Sequence, residues 1–280
     1  MNTLISNHEE VEKKIKKIKE SGYELLHILA DFDRTLTYGT VDGIKTPSII
    51  SMLRDGKHLT ENYAVEANAL FNKYHPIEID PNIPLSNKKL AMQEWRETVN
   101  KLLIESGLSK ADLVDIATNG HVKFRDGMYE FLDMLHEKKI PLVILSASGC
   151  GDAIELFFKH HNRNYPNIFY VTNQFNWDEN GKALGTKGPI IHGMNKDETV
   201  LKNIPEIYEK VKDRKNVILL GDSISDLGMI EGFEYTNLLK IGLLNNDFDL
   251  LRDEYTKNFD IVLEGDGDFE EVNRIIKQIS

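Results

Sequence analysis

Apolar residues recur along this chain with two periods, and the change of period divides it. Over residues 8–21 the apolar positions are Val11, Ile15 and Ile18. Steps of four and three predict an amphipathic helix with a solvated, lysine-rich face, ended by Gly22. Residues 25–30 form a short, largely apolar run, read as a buried strand that stops at Asp31. Residues 38–43 are turn-like, and Thr46-Pro-Ser48 reads as a helix start. From there to about 118 the pattern is helical with no buried strand. Helices are predicted over 61–74 and 90–105, separated by a proline-punctuated loop at 75–84. Ser109 reads as an N-cap, with Asp112 in the first turn behind it.

Strands and helices alternate from Phe124 onward. The pattern predicts a helix over 128–138, a strand over 140–145 with Pro141 tolerated at its start, and a helix over 154–160. A strand at 168–172, a hairpin-like turn at 176–182 and a helix at 198–211 follow. Strands at 216–220, 239–243 and 261–263 and a helix at 269–279 complete the chain. Such units predict an α/β fold with a doubly wound, mostly parallel sheet. The strandless block reads as an insertion. Residues 1–40 and 119–280 are expected to form the core, and 41–118 an inserted helical cap domain.

Composition narrows the partners. The chain has 280 residues, 41% of them hydrophobic, and a formal net charge of −11 with no basic tail. That argues against a nucleic-acid polymer or an anionic membrane as partner, since both need a positive footprint. A small phosphorylated substrate stays compatible, because a metal and one lysine can reverse the field locally. The single cysteine, Cys150, permits no internal disulfide and is expected to be a small packing residue. No signal peptide and no run of membrane-spanning length is seen, so a cytoplasmic protein is expected, monomeric or weakly oligomeric.

The first strand ends in two carboxylates, Asp31 and Asp33, followed by Thr35. At about 4 Å two like charges repel by roughly 4 kcal/mol at an effective dielectric of 20, which calls for a cation between them. Ligand sites of open α/β sheets lie at that end of the strands. Ser146 ends a second strand; Asp222, Ser223 and Asp226 follow a third. Lys196 precedes the helix that leads to that third strand. Singly, each has a plain reading as a helix cap, a turn residue or a solvated lysine. Together they converge on one edge of one sheet.

Asp31-Phe-Asp-Arg-Thr-Leu-Thr37 resembles the first motif of the haloacid dehalogenase-like (HAD) phosphohydrolases, Asp-x-Asp-x-Thr. Ser146, Lys196 and Gly221-Asp222-x-x-x-Asp226 fit the other three motifs in order and spacing. Lys73–Pro81, Trp95, Ile191–Lys196, Leu219–Ser223 and Leu239–Asn245 are similar to the cytosolic 5'-nucleotidase III, or pyrimidine 5'-nucleotidase, family.

The resemblance implies a Mg2+-dependent 5'-nucleotidase acting on nucleoside monophosphates, with CMP and UMP foremost. Asp31 would be the nucleophile, forming an aspartyl phosphate. Asp33 would be the proton donor and acceptor, its pKa raised by acidic neighbours. The metal would sit on the Asp31 carboxylate, the Asp33 backbone carbonyl and Asp222. Asp226 would support the metal through water or orient Lys196, or else cap the following helix. The Ser146 hydroxyl and the Ala147 N–H would hold phosphate oxygens, and Lys196 would neutralise their charge. Thr35 would shape the loop. Glu78 would contact the base; Trp95 has two readings, stacking on the base or, more often for a lone Trp on an amphipathic helix, core.

Three departures stand out. The run Ser146-Ala-Ser-Gly149 has one residue more than its relatives, leaving Ser148 as a second phosphate candidate, although strand register favours Ser146. Arg96 takes the place of a tyrosine. Val99 takes that of a serine in relatives that accept 7-methylguanosine monophosphate. The competing expectations are a phosphatase acting on phosphoserine or a sugar phosphate, phosphotransfer to a nucleoside, and a non-catalytic nucleotide-binding protein. Gly185-Thr-Lys-Gly188 lacks the P-loop frame.

Overall fold

The run that ends at Asp31 is an interior strand of a sheet, and the fold grows outward from it on both sides. In the computed structural model of the chain, residues 2–55, 57–232 and 234–280 are described, apart from the side chains at 198 and 199. The elements are β1 (Asn2–Ile5), α1 (His8–Ser21), β2 (Leu26–Ala30), β3 (Thr40–Val41), β4 (Ile44–Lys45), α2 (Tyr63–Ile79), α3 (Leu85–Glu105) and α4 (Lys110–Thr118). They continue with α5 (Met128–Glu137), β5 (Leu142–Leu145), α6 (Gly151–His160), β6 (Ile168–Val171), β7 (Gln174–Trp177) and β8 (Ala183–Lys187). The last are α7 (Glu198–Lys202), α8 (Pro205–Val211), β9 (Asn216–Gly221), β10 (Asn237–Leu244), α9 (Phe248–Asn258), β11 (Ile261–Glu264) and α10 (Glu270–Ile279).

Seven strands form the main sheet in the order β1-β11-β10-β9-β2-β5-β6. All neighbours pair in parallel except β1, which runs antiparallel to β11. From β2 the chain moves one way, to β5 and β6, then returns to build β9, β10 and β11 on the other side. That reversal opens a crevice beyond the carboxyl ends of β2, β5 and β9, where α/β folds bind ligands.

Side chains alternate across the sheet, so each strand feeds two cores. Ile28 and Ala30 pack with Ile218 and Leu220 on one face. Leu29 packs with Val217 and Leu219 on the other. Full burial of each such aliphatic residue contributes about 1.5–3 kcal/mol, which keeps the strand ends in register. The segment 46–118 gives no strand to the sheet. Its residues Ile49, Leu53, Tyr63, Leu103 and Leu113 join the first of these cores directly. Among the described residues no helix is long and apolar enough to cross a membrane.

Several local expectations are corrected. The first strand starts at Leu26; Leu25 lies in a single 3-10 turn and is 44% exposed. The hydrophobic pattern did not single out β1, since its partner β11 lies at the other end of the chain. The turn at 38–43 has paired flanks, β3 and β4, around Asp42 and Gly43, both at positive φ, as a tight hairpin turn needs. Pro76, expected in a loop, lies inside α2. A proline there costs about 3 kcal/mol. Buried Tyr74, stacked on Trp95 at 5.8 Å, holds the last turn, and the Asp80 N–H closes it on the Pro76 carbonyl. The helix expected over 90–105 begins five residues earlier, at Leu85 directly after Pro84. The helix expected over 198–211 is broken into α7 and α8, because Pro205 offers no N–H to continue the ladder and starts a new helix instead.

Candidate active site

The Asp31 N–H donates to the Leu220 carbonyl at 3.1 Å, which locks the end of β2 to β9. Asp31 and Asp222 therefore emerge from adjacent strands. The last residue of β9, directly before Asp222, is Gly221, where a Cβ would lie 2.5 Å from the Asp226 Cβ; only glycine lets Asp226 come so close. Asp31, Asp222 and Asp226 bring carboxylate oxygens within 4.8 Å of one another. Asp222 also accepts from the Thr35 hydroxyl at 3.5 Å, which ties the first motif loop to the fourth.

Lys196 enters this cluster from the loop before α7, and only 6% of it is exposed. Its Nζ donates to Asp31 and, at 2.9 Å, to Asp226. The other Asp226 oxygen accepts from the Ser223 N–H at 3.1 Å. Asp226 thus both orients the lysine and caps the following turn. Three carboxylates, buried at Asp31 and Asp226 and half-buried at Asp222, face one ammonium, so negative charge is in surplus. Hard oxygen donors with spare negative charge fit a divalent cation such as Mg2+.

Burial pushes Asp31 up to about 7, with Asp226 and Asp33 adding to the shift and Lys196 opposing it. Asp222 is raised well above the carboxylate range by burial, then by Asp226 and Asp31. Burial alone would lower Lys196, but Asp226 and Asp31 outweigh it and hold the ammonium charged. Asp33 is pushed up to about 6 by burial, while the Ile49 hydrogen bond, Arg34 and Lys196 pull it down. The acidic neighbours expected to raise it are not the cause. Its carboxylate lies outside the Asp31–Asp222–Asp226 group and accepts from the Ile49 N–H at 3.0 Å.

On the other side of Asp31 the loop after β5 carries Ser146, Ala147 and Ser148. The Ser146 N–H donates to the Val171 carbonyl, continuing the sheet by one residue. Ser146 Oγ accepts from the Ser148 N–H at 3.1 Å, which leaves its own proton for donation. Ser148 Oγ is buried and has no partner. The Ala147 carbonyl accepts from Arg96 at 2.9 Å. Cys150 is fully buried at the start of α6 and burial raises its thiol, as a packing residue requires.

Glu78 lies in the last turn of α2, with Oε2 3.2 Å from His75 Nδ1. Its Oε1 is 3.3 Å from where a Cβ on Gly193 would be, so this helix end reaches the loop that carries Lys196. Beside it lies a cavity of about 440 Å³, walled by Arg34, Arg54, Tyr63, Phe71, Trp95 and Arg96 among others. Trp95, expected in the core, is half-buried and forms part of this wall.

Two positioning residues carry no signal in the sequence. Arg125, buried to 2%, donates to the Thr35, Arg34 and Gly267 carbonyls and to Asn245 Oδ1, and pairs with Asp266 at 3.1 Å. Asn245 adds a second donor to the Arg34 carbonyl, where the backbone sits at φ 63°. Asn173 donates to the Ser148 and Ile191 carbonyls and accepts from the Ile191 N–H, tying the serine loop to the lysine loop. A lone Arg and a lone Asn have many plain uses; only the closed fold shows what these two hold.

The family model for pyrimidine 5'-nucleotidases (UMPH-1) matches residues 34–280. The 7-methylguanosine phosphate-specific 5'-nucleotidase of Gallus gallus is 36% identical over 276 residues, covering 98% of this chain and 95% of that protein. The Homo sapiens protein of the same name is 34% identical over 270 residues, covering 96% and 89%. A crystal structure of cytosolic 5'-nucleotidase IIIB bound to cytidine superposes with a TM-score of 0.89 at 31% identity, covering 99% of this chain and 93% of that one. A substrate-bound phosphoserine phosphatase shares the HAD-like fold at a TM-score of 0.52 and 16% identity, covering 91% and 98%. By descent and by fold alike, the chain belongs to the pyrimidine 5'-nucleotidase family and is a 5'-nucleotidase, a phosphoric monoester hydrolase.

Proposed function

We propose that the site hydrolyses pyrimidine nucleoside 5'-monophosphates, CMP and UMP foremost, to nucleoside and phosphate through a phosphoenzyme on Asp31. The observation that carries this reading is the buried Asp31 carboxylate held by Lys196, with Asp222 and Asp226 beside it. The Asp31 oxygen attacks phosphorus as the bond to the 5'-oxygen breaks. Asp33 gives that oxygen its proton. Water then attacks the aspartyl phosphate, yielding a proton to Asp33, and Asp31 is released. Two displacements replace one harder step. Lys196, the Ser146 hydroxyl and the Ala147 N–H bear the charge on the phosphoryl oxygens, and Ser148, with its unpartnered hydroxyl, is the alternative donor.

Mg2+ would be held by the Asp31 and Asp222 carboxylates and the Asp33 backbone carbonyl, with Asp226 in support. Bound there, it supplies Lewis-acid neutralisation of the carboxylates and the phosphate. We read 41–118 as the cap that carries specificity. Glu78 can accept from an exocyclic amine such as cytosine N4. A cytosolic setting accords with the names of relatives such as the putative cytosolic 5'-nucleotidase 3 of Caenorhabditis elegans. The names of other relatives supply a second reading, 7-methylguanosine monophosphate as substrate.

The test is a panel of CMP, UMP, AMP, GMP, 7-methylguanosine monophosphate and phosphoserine, with Mg2+ and after chelation. CMP and UMP should lead, chelation should remove the activity, and Asp31→Asn should lower kcat by about a thousandfold or more. Phosphoserine turned over as well as CMP, or full turnover by Asp31→Asn, would sink the reading.

A further inference from the structure

The cavity beside Glu78 carries an unusual charge for this chain. Acidic residues outnumber basic ones 45 to 34 over the whole sequence. Yet the cavity wall holds Arg34, Arg54, Arg96, Lys45 and His75, and no carboxylate. Of the other five arginines four are paired, Arg125 with Asp266, Arg163 with Asp133, Arg252 with Glu264 and Arg274 with Glu271, while Arg214 donates to the Leu26 carbonyl. Among the described residues, Arg34, Arg54 and Arg96 have no such acid. The Nε atoms of Arg34 and Arg96 are buried and find no hydrogen-bond partner. Arg96 spends one N–H on the Ala147 carbonyl, and Arg54 lies over the Phe71 ring at 5.2 Å. Guanidinium groups stay charged even when desolvated, so this wall keeps its positive potential at any ordinary pH.

Resting on the reading of this cavity as the base site, we propose that Arg96, backed by Arg34 and Arg54, makes the pocket select nucleotides by the charge of the base. Bases that are neutral and rich in acceptors are taken; a cationic base is excluded. Cytosine O2 and N3, and uracil O2 and O4, offer lone pairs to the spare guanidinium donors. Methylation of guanine at N7 removes an acceptor and places a positive charge on the ring. Inside a walled pocket the repulsion is screened far less than in water. Arg34 acts through space on Asp33 and Asp222, and Glu78 on Arg96, but Glu78 engages His75 and, among the described residues, none of these pairs closes to ion-pair distance.

The probes are 7-methylguanosine 5'-monophosphate and its neutral isostere, 7-methyl-7-deazaguanosine 5'-monophosphate. They share shape, methyl group and phosphate, and differ in charge. Their dissociation constants are measured by calorimetry with Mg2+ on the full chain carrying Asp31→Asn, so that neither is consumed. The neutral isostere should bind at least tenfold more tightly, equivalent to about 1.4 kcal/mol. Adding Arg96→Gln should bring the ratio towards one, whereas Arg96→Lys, which keeps the charge, should preserve it. Equal affinities, tighter binding of the cation, binding of neither, or a ratio unmoved by Arg96→Gln would overturn the proposal. Failure of the underlying nucleotidase reading shows separately, as wild-type protein that does not release phosphate from CMP.

Discussion

Arg125 shows how much of the loop after Asp31 rests on a residue outside the proposed chemistry. Its guanidinium collects the carbonyls of Arg34 and Thr35, an Asn245 oxygen and the Asp266 carboxylate, all while buried. A lysine keeps the charge but has one point of donation instead of a planar fork. Arg125→Lys should therefore lower kcat by about ten- to a hundredfold with a smaller change in KM, since a misplacement of about 1 Å near a nucleophile has that effect. Steady-state kinetics on CMP decide this; an unchanged kcat would show that the loop holds itself. Asp31, Asp33 and Asp222 were legible in the sequence because their spacing is tied to strand ends. Arg125, in Lys-Phe-Arg-Asp, was not, because its partners come from residues 34, 35, 245, 266 and 267.

At the scale of elements, the interior of the sheet carries a buried titratable group on β2, the strand that leads to Asp31. His27 in β2 is 1% exposed, and its Nδ1 lies 2.9 Å from the Arg214 carbonyl, which makes Nδ1 the donor. Burial lowers its pKa to about 4 from 6.5, against the support of that hydrogen bond. The unfolded chain therefore binds the proton more readily than the folded one between those values. The contribution is complete above pH 6.5 and is lost as pH falls towards 4. The full difference corresponds to about 3 kcal/mol. Urea unfolding at pH 7 and pH 5 should show wild type losing roughly 2 kcal/mol more stability than His27→Asn over that interval. Identical pH dependence in the two proteins would show that protonation of His27 is accommodated. Helix ends were harder to read at this scale than strand ends. Pro76 marks a loop by local rules, but the stacking of Tyr74 on Trp95 from a neighbouring helix overrides them.

For the whole molecule, the site is assembled from two sources. The sheet edge supplies Asp31, Asp222 and Ser146, while helices α2 and α3 supply Glu78 and Arg96. A nucleotide that spans both should link them. On the Asp31→Asn protein, CMP at a hundred times its dissociation constant should add about 2.7 kcal/mol of stability. For a chain of this size that raises Tm by roughly 5–10 °C. Phosphate alone, which touches only the sheet side, should give a smaller shift. Equal shifts from phosphate and CMP would mean that the helices take no part in binding.

What the sequence determined by itself was the sheet, its carboxyl edge and the chemistry placed there. A buried strand is a short-range pattern, and a motif following it inherits its position. Tertiary structure decided the rest. It put Asp226 on both Lys196 and its own turn, turned the Asp33 carboxyl to the Ile49 N–H, and raised Asp33 by burial instead of by neighbouring charge. It also gathered Arg34, Arg54 and Arg96 from distant segments around one cavity. Charge accumulates in a pocket through distances across the fold, and no window along the chain contains them.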